Sequence, residues 1–223
     1  TVAVAVTTPP VITSATATPN PVCVNGNAQL QATLAQPSSY CASTHSSGSC
    51  GFNDSVILVA LATLSNASGC LAAPGYTDYT AVAAPTLTAG GPSYNLAITV
   101  GSDGTQFTAA WIDYNKDGDF DDALEFLGAS PDVDANGTAN LPFTVPAAAF
   151  NGNTRMRVIG GNDSAILSTQ SCGASSSAFG ETEDYTVTIT GGAQPATYLW
   201  TPNTYLNFNN VANPIAQNVA GPI

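Results

Sequence analysis

The stretch Ser93-Tyr94-Asn95-Leu96-Ala97-Ile98-Thr99-Val100 alternates large apolar side chains with polar or small ones. In an extended chain, Tyr94, Leu96, Ile98 and Val100 would lie on one face, because successive side chains of a strand point to opposite faces. A strand of this kind packs one face on a core and leaves the other in water. The stretch therefore predicts a half-buried strand of an antiparallel sheet.

Similar short runs recur along the chain between clusters of Gly, Pro, Asn and Ser, and helical periodicity is nearly absent. This pattern predicts an all-β protein, an antiparallel β-sandwich of the jelly-roll or immunoglobulin-like (Ig-like) kind. The other predicted strands are Thr1–Val6, Ala28–Ala35, Val56–Leu61, Gln106–Ile112, Thr138–Val145, Thr154–Ile159, Asp184–Ile189 and Thr197–Thr201.

The composition excludes two classes of partner. Hydrophobic residues make up 44% of the chain, enough for a core, but charged residues make up only 8% and the formal net charge is −12. The only basic side chains besides one histidine are Lys116, Arg155 and Arg157, so the protein cannot neutralise nucleic-acid phosphates. An anionic membrane surface would repel it, and no apolar run is long enough for direct membrane insertion.

The five cysteines favour disulfide bonds in an oxidising compartment. No pair has the Cys-x-x-Cys spacing typical of zinc sites. Together with the low charge and the many Thr, Ser and Asn residues, they predict an extracellular protein of a bacterial cell surface.

Six of the fifteen acidic residues fall between Asp113 and Glu125. Carboxylates packed this densely repel one another unless a cation lies among them. The pattern Asp-x-Asn-x-Asp-Gly brings oxygen ligands together around a sharp turn, which predicts a calcium site, with a solvated acidic turn as the alternative. The glutamate at position 13 rather than 12 and the lack of flanking helices exclude an EF-hand. The predicted ligands are Asp113, Asn115 and Asp117 through their side chains, Asp119 through its carbonyl, and Asp122 and Glu125 closing the site.

A second acidic cluster, Glu181, Glu183 and Asp184, precedes a predicted strand. We expect structural ion pairs with Arg155 or Arg157; participation in the metal site is an alternative. A catalytic carboxylate pair is disfavoured because no aromatic-lined cleft is evident. The single histidine, His45, lies in a Ser/Gly-rich segment and is expected to be an exposed loop residue, and no Gly-x-Ser-x-Gly motif exists. We therefore predict no enzymatic activity.

Several motifs of the central block occur together in one known family. They are Tyr40-Cys41, Gly75–Thr80, Trp111–Phe120, Arg155–Val158 and Phe179–Val187, the last with Thr182 where the family name has valine. In this order they resemble the GEVED domain of secreted bacterial surface proteins, many of which are exported by the type IX secretion system. The resemblance implies a β-sandwich and a non-catalytic extracellular module, and it names no ligand.

The two flanks resemble halves of one bacterial Ig-like domain, with Cys23 in its second strand and Trp200 as its core tryptophan. We therefore expect residues 1–37 and 192–223 to form a partial Ig-like sandwich, with a GEVED-like sandwich at 38–191 inserted into one of its loops. The closing strands are missing from this scheme. Thr1–Val6 could supply such a strand to a preceding or neighbouring repeat, so that repeats or subunits complete one another.

The preferred disulfide pairing is Cys50–Cys70, closing a short loop, and Cys41–Cys172, joining the ends of the inserted block. Four cysteines allow three pairings, and Cys23 would be free or bonded outside this segment. Asp54-Ser55 and Asp163-Ser164 resemble the Asp-Ser/Thr-apolar sites at which such bacteria attach O-glycans.

These observations predict a structural or adhesive repeat of a large cell-surface filament or adhesin, stiffened by calcium and disulfides. Its partners would be neighbouring repeats or subunits of the same fibre. One alternative is a module that binds cell-surface glycans, which would need exposed aromatic residues such as Tyr76, Tyr79, Tyr114 and Phe120. Another is an accessory domain of a secreted hydrolase.

Overall fold

The computed structural model describes residues 12–19, 27–34, 40–172, 178–193, 206–207 and 215–217. Two compact units share the chain: Thr1–Gln36 with Gln194–Ile223, and Pro37–Ala193. All regular structure within the described ranges is β-structure, so the prediction of an all-β fold is confirmed. The strands are β1 (Ile12–Thr18), β2 (Ala28–Leu34), β3 (Val56–Leu61), β4 (Leu64–Ala67), β5 (Tyr76–Asp78), β6 (Thr86–Thr88), β7 (Tyr94–Val100), β8 (Phe107–Ile112), β9 (Phe126–Ala129), β10 (Thr138–Phe143), β11 (Gly152–Asn162), β12 (Glu181–Thr190) and β13 (Ile215–Ala216).

The unit Pro37–Ala193 contains two sheets. One has the strand order β10-β7-β3-β4, and the other has the order β5-β12-β11-β8-β9 with β6 also paired to β12. Neighbouring strands run antiparallel, as predicted, except that the short strands β5 and β6 pair with β12 in parallel.

The main core lies between these two sheets. Leu96 and Ile98 on β7 and Val59 on β3 face Val158 on β11 and Val187 on β12, and all five are fully buried. The strict alternation in β7 thus places one face of that strand on the core, as the sequence predicts. Burial of this apolar area is the largest favourable term for the fold.

A smaller core covers the outer face of the larger sheet. Trp111 on β8 and Ile159 on β11 pack with Phe120 and Ile166, which come from the loops after β8 and β11. Strand β8 is therefore buried on both faces. The segment that follows it, residues 113–125, is called the acidic loop here, and it folds back over the sheet that contains β8.

The sequence missed six strands: β1, β4, β5, β6, β9 and β13. Most of these are short and none carries a long apolar alternation, so pairing with longer neighbours decides their conformation. The predicted strands Thr1–Val6 and Thr197–Thr201, and also Cys23 and Trp200, lie outside the described residues.

In the other unit, the described strands form one antiparallel sheet with the order β1-β2-β13. Strand β2 pairs with β1 over most of its length, and its first two residues pair with Ile215 and Ala216. Strands from both flanks thus share a sheet. No helix in the described ranges is long and apolar enough to cross a membrane.

Two disulfides close the larger unit. Cys41 is bonded to Cys172 and Cys50 to Cys70, with Cα–Cα distances of 5.4 Å and 4.7 Å. This is the pairing preferred from the sequence. The bonds join residues 131 and 20 positions apart, and they are consistent with an extracellular or secreted protein.

We predict that replacing Cys41 and Cys172 by serine lowers the free energy of unfolding by about 4–5 kcal/mol, and replacing Cys50 and Cys70 by about 3 kcal/mol. The longer closed segment restricts the unfolded chain more. Denaturant unfolding of the two double variants measures both losses, each serving as the other's control, and the reverse order would contradict this account.

Candidate functional site

Asp113 organises the acidic loop from its first position. It directly follows β8 and is fully buried. Its Oδ1 accepts the Lys116 backbone N–H at 2.5 Å, and its Oδ2 accepts the Gly118 N–H at 3.1 Å and the Tyr40 hydroxyl at 2.6 Å. Burial raises the pKa of this carboxyl. The carboxylate of Asp113 thus holds the loop in shape through three hydrogen bonds, without any ligand.

The sharp turn predicted at Gly118 is present. Gly118 has a φ of 89°, in the left-handed region that favours glycine, and Lys116 also has a positive φ of 59°. The Lys116 ammonium donates a hydrogen bond to the carbonyl oxygen of Asn151, a residue outside the loop. It therefore bonds outside the acidic group.

Three predicted ligands come together on the rim of the loop. One carboxylate oxygen from each of Asp117, Asp119 and Asp122 lies within 4.8 Å of the other two. The Asn115 amide nitrogen donates to Asp117 at 2.9 Å and to Asp122 at 2.5 Å, so its N–H groups separate these two carboxylates. Its side-chain oxygen accepts the Asp117 N–H at 3.0 Å. Asp119 contributes its carboxylate to this group, where the sequence suggested its carbonyl.

Glu125, the last predicted ligand, is buried behind this rim. Its Oε1 accepts the Tyr114 N–H at 2.9 Å, while its Oε2 has no hydrogen-bond partner among the described residues. Burial, with the charge of Asp113 as the next cause, raises the pKa of Glu125 to about 8. Burial likewise raises the pKa of Asp117 to about 6.

The donor set fits a hard divalent cation. All available side-chain ligands are oxygen atoms, and calcium–oxygen distances of about 2.3–2.6 Å allow ligand oxygens up to roughly 5 Å apart. The carboxylate oxygens of Asp117, Asp119 and Asp122 meet that limit, and the unpartnered Oε2 of Glu125 is a further acceptor at the same loop.

The second acidic cluster divides between the two faces of β12. Asp184 accepts two hydrogen bonds from Arg157, Nε to Oδ1 at 2.7 Å and Nη2 to Oδ2 at 2.8 Å. It also accepts Arg155 Nη1 at 2.8 Å and the Tyr76 hydroxyl at 3.0 Å. The expected ion pairing is therefore present at Asp184.

The two glutamates of this cluster do not pair with the arginines, which corrects that part of the expectation. Glu181 and Glu183 share one face of β12, and that face turns away from Arg155 and Arg157. Glu181 accepts the Val56 N–H at 2.5 Å and the Ser49 hydroxyl at 2.8 Å, and Glu183 accepts the Tyr185 hydroxyl at 2.6 Å. Burial raises the pKa of both, to about 8 for Glu181.

The acidic loop and the carboxylates of β12 lie within one stretch that also contains the arginine strand β11. Residues 107–188 match the family model of the GEVED domain. No curated protein matches the chain significantly. The match runs from β8 into β12 and includes three of the five motifs behind the resemblance, Trp111–Phe120, Arg155–Val158 and Phe179–Val187, while Tyr40-Cys41 and Gly75–Thr80 lie outside it. It indicates an extracellular, surface-associated domain.

His45, which lies outside the GEVED match, corrects a second expectation. It is buried, with 1% of its surface exposed. Its ring nitrogens contact the Phe179 carbonyl oxygen at 3.2 Å and the Thr182 hydroxyl at 3.1 Å, and burial lowers its pKa. The Ser/Gly-rich segment is held against β12 between two disulfide-bonded cysteines. The prediction from its composition, that His45 is an exposed loop residue, is therefore wrong.

Other predicted surface residues are also buried. Ser55 is 2% exposed, so its hydroxyl is inaccessible in the folded protein, whereas Ser164 is partly exposed. In the GEVED segment, Tyr114 and Phe120 belong to the cores and cannot contact a glycan. Of the four aromatic candidates, only Tyr76 and Tyr79 are partly exposed, and Tyr79 stacks on Tyr185.

We predict that Glu181 makes the protein less stable as the pH rises. Its folded-state pKa of about 8 lies above the unfolded value of 4.5, so its stabilising contribution is complete below pH 4.5 and is lost as the pH passes 8. Glu181→Gln should reduce the fall in unfolding free energy between pH 5 and 9 by on the order of 3–5 kcal/mol.

Chemical denaturation in chelator measures this dependence. Asp78→Asn removes an exposed carboxylate whose pKa is lowered, and it should keep the wild-type dependence. An unchanged pH dependence in Glu181→Gln would show that Glu181 is not the group responsible.

We further predict that Arg157→Met costs about 3–5 kcal/mol, because it removes two charged hydrogen bonds from the buried Asp184. Arg155→Met is the matched comparison: Arg155 donates one bond to the same carboxylate and its side chain is 22% exposed, against 1% for Arg157. It should cost clearly less in urea unfolding, and equal losses would contradict the assignment of Arg157 as the main partner.

Proposed function

We propose that the chain is a non-catalytic extracellular repeat of a large bacterial cell-surface filament or adhesin, stiffened by calcium and disulfides and exported by the type IX system. The observation that carries the proposal is the acidic loop, where three carboxylates come together and the buried Oε2 of Glu125 has no hydrogen-bond partner among the described residues. Such a loop stabilises a scaffold only when a cation balances its charge.

Calcium would be held by Asp117, Asp119 and Asp122, together with the buried Glu125. Asn115 could add its amide oxygen after its side-chain amide turns over, and Asp113 would position the loop through its three hydrogen bonds. The ion supplies positive charge and oxygen coordination, with no chemical step. Extracellular sites of this kind bind calcium with dissociation constants of about 10⁻⁴–10⁻³ M. Calcium at such concentrations outside the cell would keep the loop ordered.

A structural role also agrees with the state of the acidic residues on β12. Glu181, Glu183 and Asp184 are fully buried, and each accepts hydrogen bonds from neighbouring side chains or backbone. A carboxylate held in this way stabilises the strand and has no surface for a substrate. These residues therefore support a scaffold better than an accessory domain with a site of its own.

The pairing of β2 with both β1 and β13 supports the interpretation that the two flanks form one partial Ig-like domain around the inserted unit. In the proposed fibre, a strand from a neighbouring repeat or subunit completes this domain. The partners of the chain are then other copies of the same repeat.

The single lysine of the chain gives a sharp test of the calcium-stiffened loop. Lys116 lies inside the loop, so a lysine-specific endoprotease can cut the chain only there. We expect calcium at about 5 mM to slow this cleavage at least tenfold relative to chelator, because cutting requires the loop to open. A reducing gel reads the cleavage; without reduction the fragments stay joined, since Cys41–Cys172 spans the cut.

Two variants control this experiment. Asp117→Asn/Asp119→Asn should be cut at one rate with and without calcium. Asp78→Asn/Asp134→Asn removes the same charge from exposed positions outside the loop and should keep the protection. Equal cleavage of the wild-type protein in calcium and in chelator would refute the proposal.

A further inference from the structure

A second group of carboxylates lies outside the acidic loop and comes from three separate segments. Asp54 precedes β3, Asp103 lies between β7 and β8, and Asp163 follows β11. One carboxylate oxygen from each lies within 4.8 Å of the other two. Asp54 and Asp163 are the residues whose neighbours, Ser55 and Ser164, resembled O-glycan sites in the sequence.

Asp54 is the buried member of this group. It is 1% exposed, and its Oδ1 has no hydrogen-bond partner among the described residues. Buried polar groups normally have partners, and a buried carboxylate oxygen without one needs a proton or a cation. Gln106 lies against the same segment: its Nε2 donates to the Asn53 carbonyl oxygen at 3.5 Å, and its buried Oε1 is likewise unpartnered in the described chain.

The backbone holds these segments tightly together. Gly161 has a φ of 72°, and a Cβ atom at this position would lie 2.0 Å from the Asp54 carbonyl oxygen, so only glycine permits this approach. The Gly101 N–H donates to the Ser55 carbonyl oxygen at 2.8 Å. The carboxylates are therefore brought together by the packing of the sandwich.

Among the described residues, no lysine or arginine forms an ion pair with this group. The chain has three lysine and arginine residues. Lys116 donates to the Asn151 carbonyl oxygen, and both arginines bind Asp184. Burial, with the charges of Asp163 and Asp103 as further causes, raises the pKa of Asp54 to about 7.

We propose that Asp54, Asp103 and Asp163 form a second divalent-cation site that takes calcium, separate from the acidic loop. Its ligands are oxygens, with the Gln106 Oε1 as a neutral ligand within the same group of segments. The spacing of the carboxylates fits calcium, whose ligand oxygens lie at about 2.3–2.6 Å from the ion. The ion would connect the start of β3 and the end of β7 in one sheet with the start of β8 and the end of β11 in the other.

The test is the number of calcium ions bound per chain, measured by equilibrium dialysis against calcium chloride with the intact, disulfide-bonded protein. Asp103→Asn/Asp163→Asn removes the two accessible ligands, of which Asp103 is half-buried and Asp163 is exposed, so we expect the fold to tolerate the change. We expect this variant to bind one ion fewer than the wild-type protein. The charge-matched control Asp78→Asn/Asp134→Asn should bind as many ions as wild type.

The acidic-loop variant Asp117→Asn/Asp119→Asn separates this inference from the proposed function. It should retain one ion at the second site, and the combined four-residue variant should bind none. If the acidic loop binds no calcium, the wild-type protein binds one ion and Asp103→Asn/Asp163→Asn none, which still supports the second site. If Asp103→Asn/Asp163→Asn binds as much calcium as the control, or if the wild-type protein binds none, the inference is overturned.

Discussion

The ion pair of Asp184 with Arg155 and Arg157 is the constraint on which the electrostatics of this protein depend. It uses both arginines of the chain on one carboxylate, and the single lysine donates to a backbone carbonyl. Every other buried carboxylate must therefore be satisfied by hydrogen bonds, by a proton or by an ion from solution. The chain uses hydrogen bonds for Asp113 and Glu181, while Glu125, Glu183 and Asp54 each keep an oxygen without a partner among the described residues.

The alternation of side chains along β12 explains how the GEVED motif divides its acidic residues. Glu181 and Glu183 turn to one face and Asp184 to the other, where β11 presents its arginines. The motif therefore joins β12 to the segment around Ser49 and to its two neighbours in the same sheet, β11 and β5, the latter through Tyr76. Carboxylates used in this way fix the register of strands and the position of loops, which is the work of a scaffold.

The sequence predicted those parts of the structure whose conformation is decided by neighbouring residues along the chain. Strand β7 follows from the apolar positions Leu96 and Ile98, and the loop at Asp113 from its own spacing. The first residues of β12 were missed because three carboxylates in four positions are typical of a surface turn, and their burial depends on distant donors such as Ser49 and Arg157. His45 was placed wrongly for the same reason.

The group formed by Asp54, Asp103 and Asp163 shows the limit of sequence reasoning more clearly. Its members are 49 to 109 positions apart and lie in three connections, so no spacing along the chain reveals them. Only the register of β3, β7, β8 and β11 brings them together. The roles of Asn115 and Asp113 in the acidic loop were likewise decided by the hydrogen bonds that the folded chain offers.

The bond between Cys41 and Cys172 has a consequence for a chain that is pulled from both ends. Tension that enters before Cys41 and leaves after Cys172 crosses this covalent bridge and bypasses nearly all of the inserted sandwich. The 130 residues between the two cysteines would span roughly 430–470 Å if fully extended. As long as the disulfide is intact, this segment carries no tension. Both proposed cation sites lie within that unloaded segment, so stretching the proposed fibre of such repeats would leave them undisturbed.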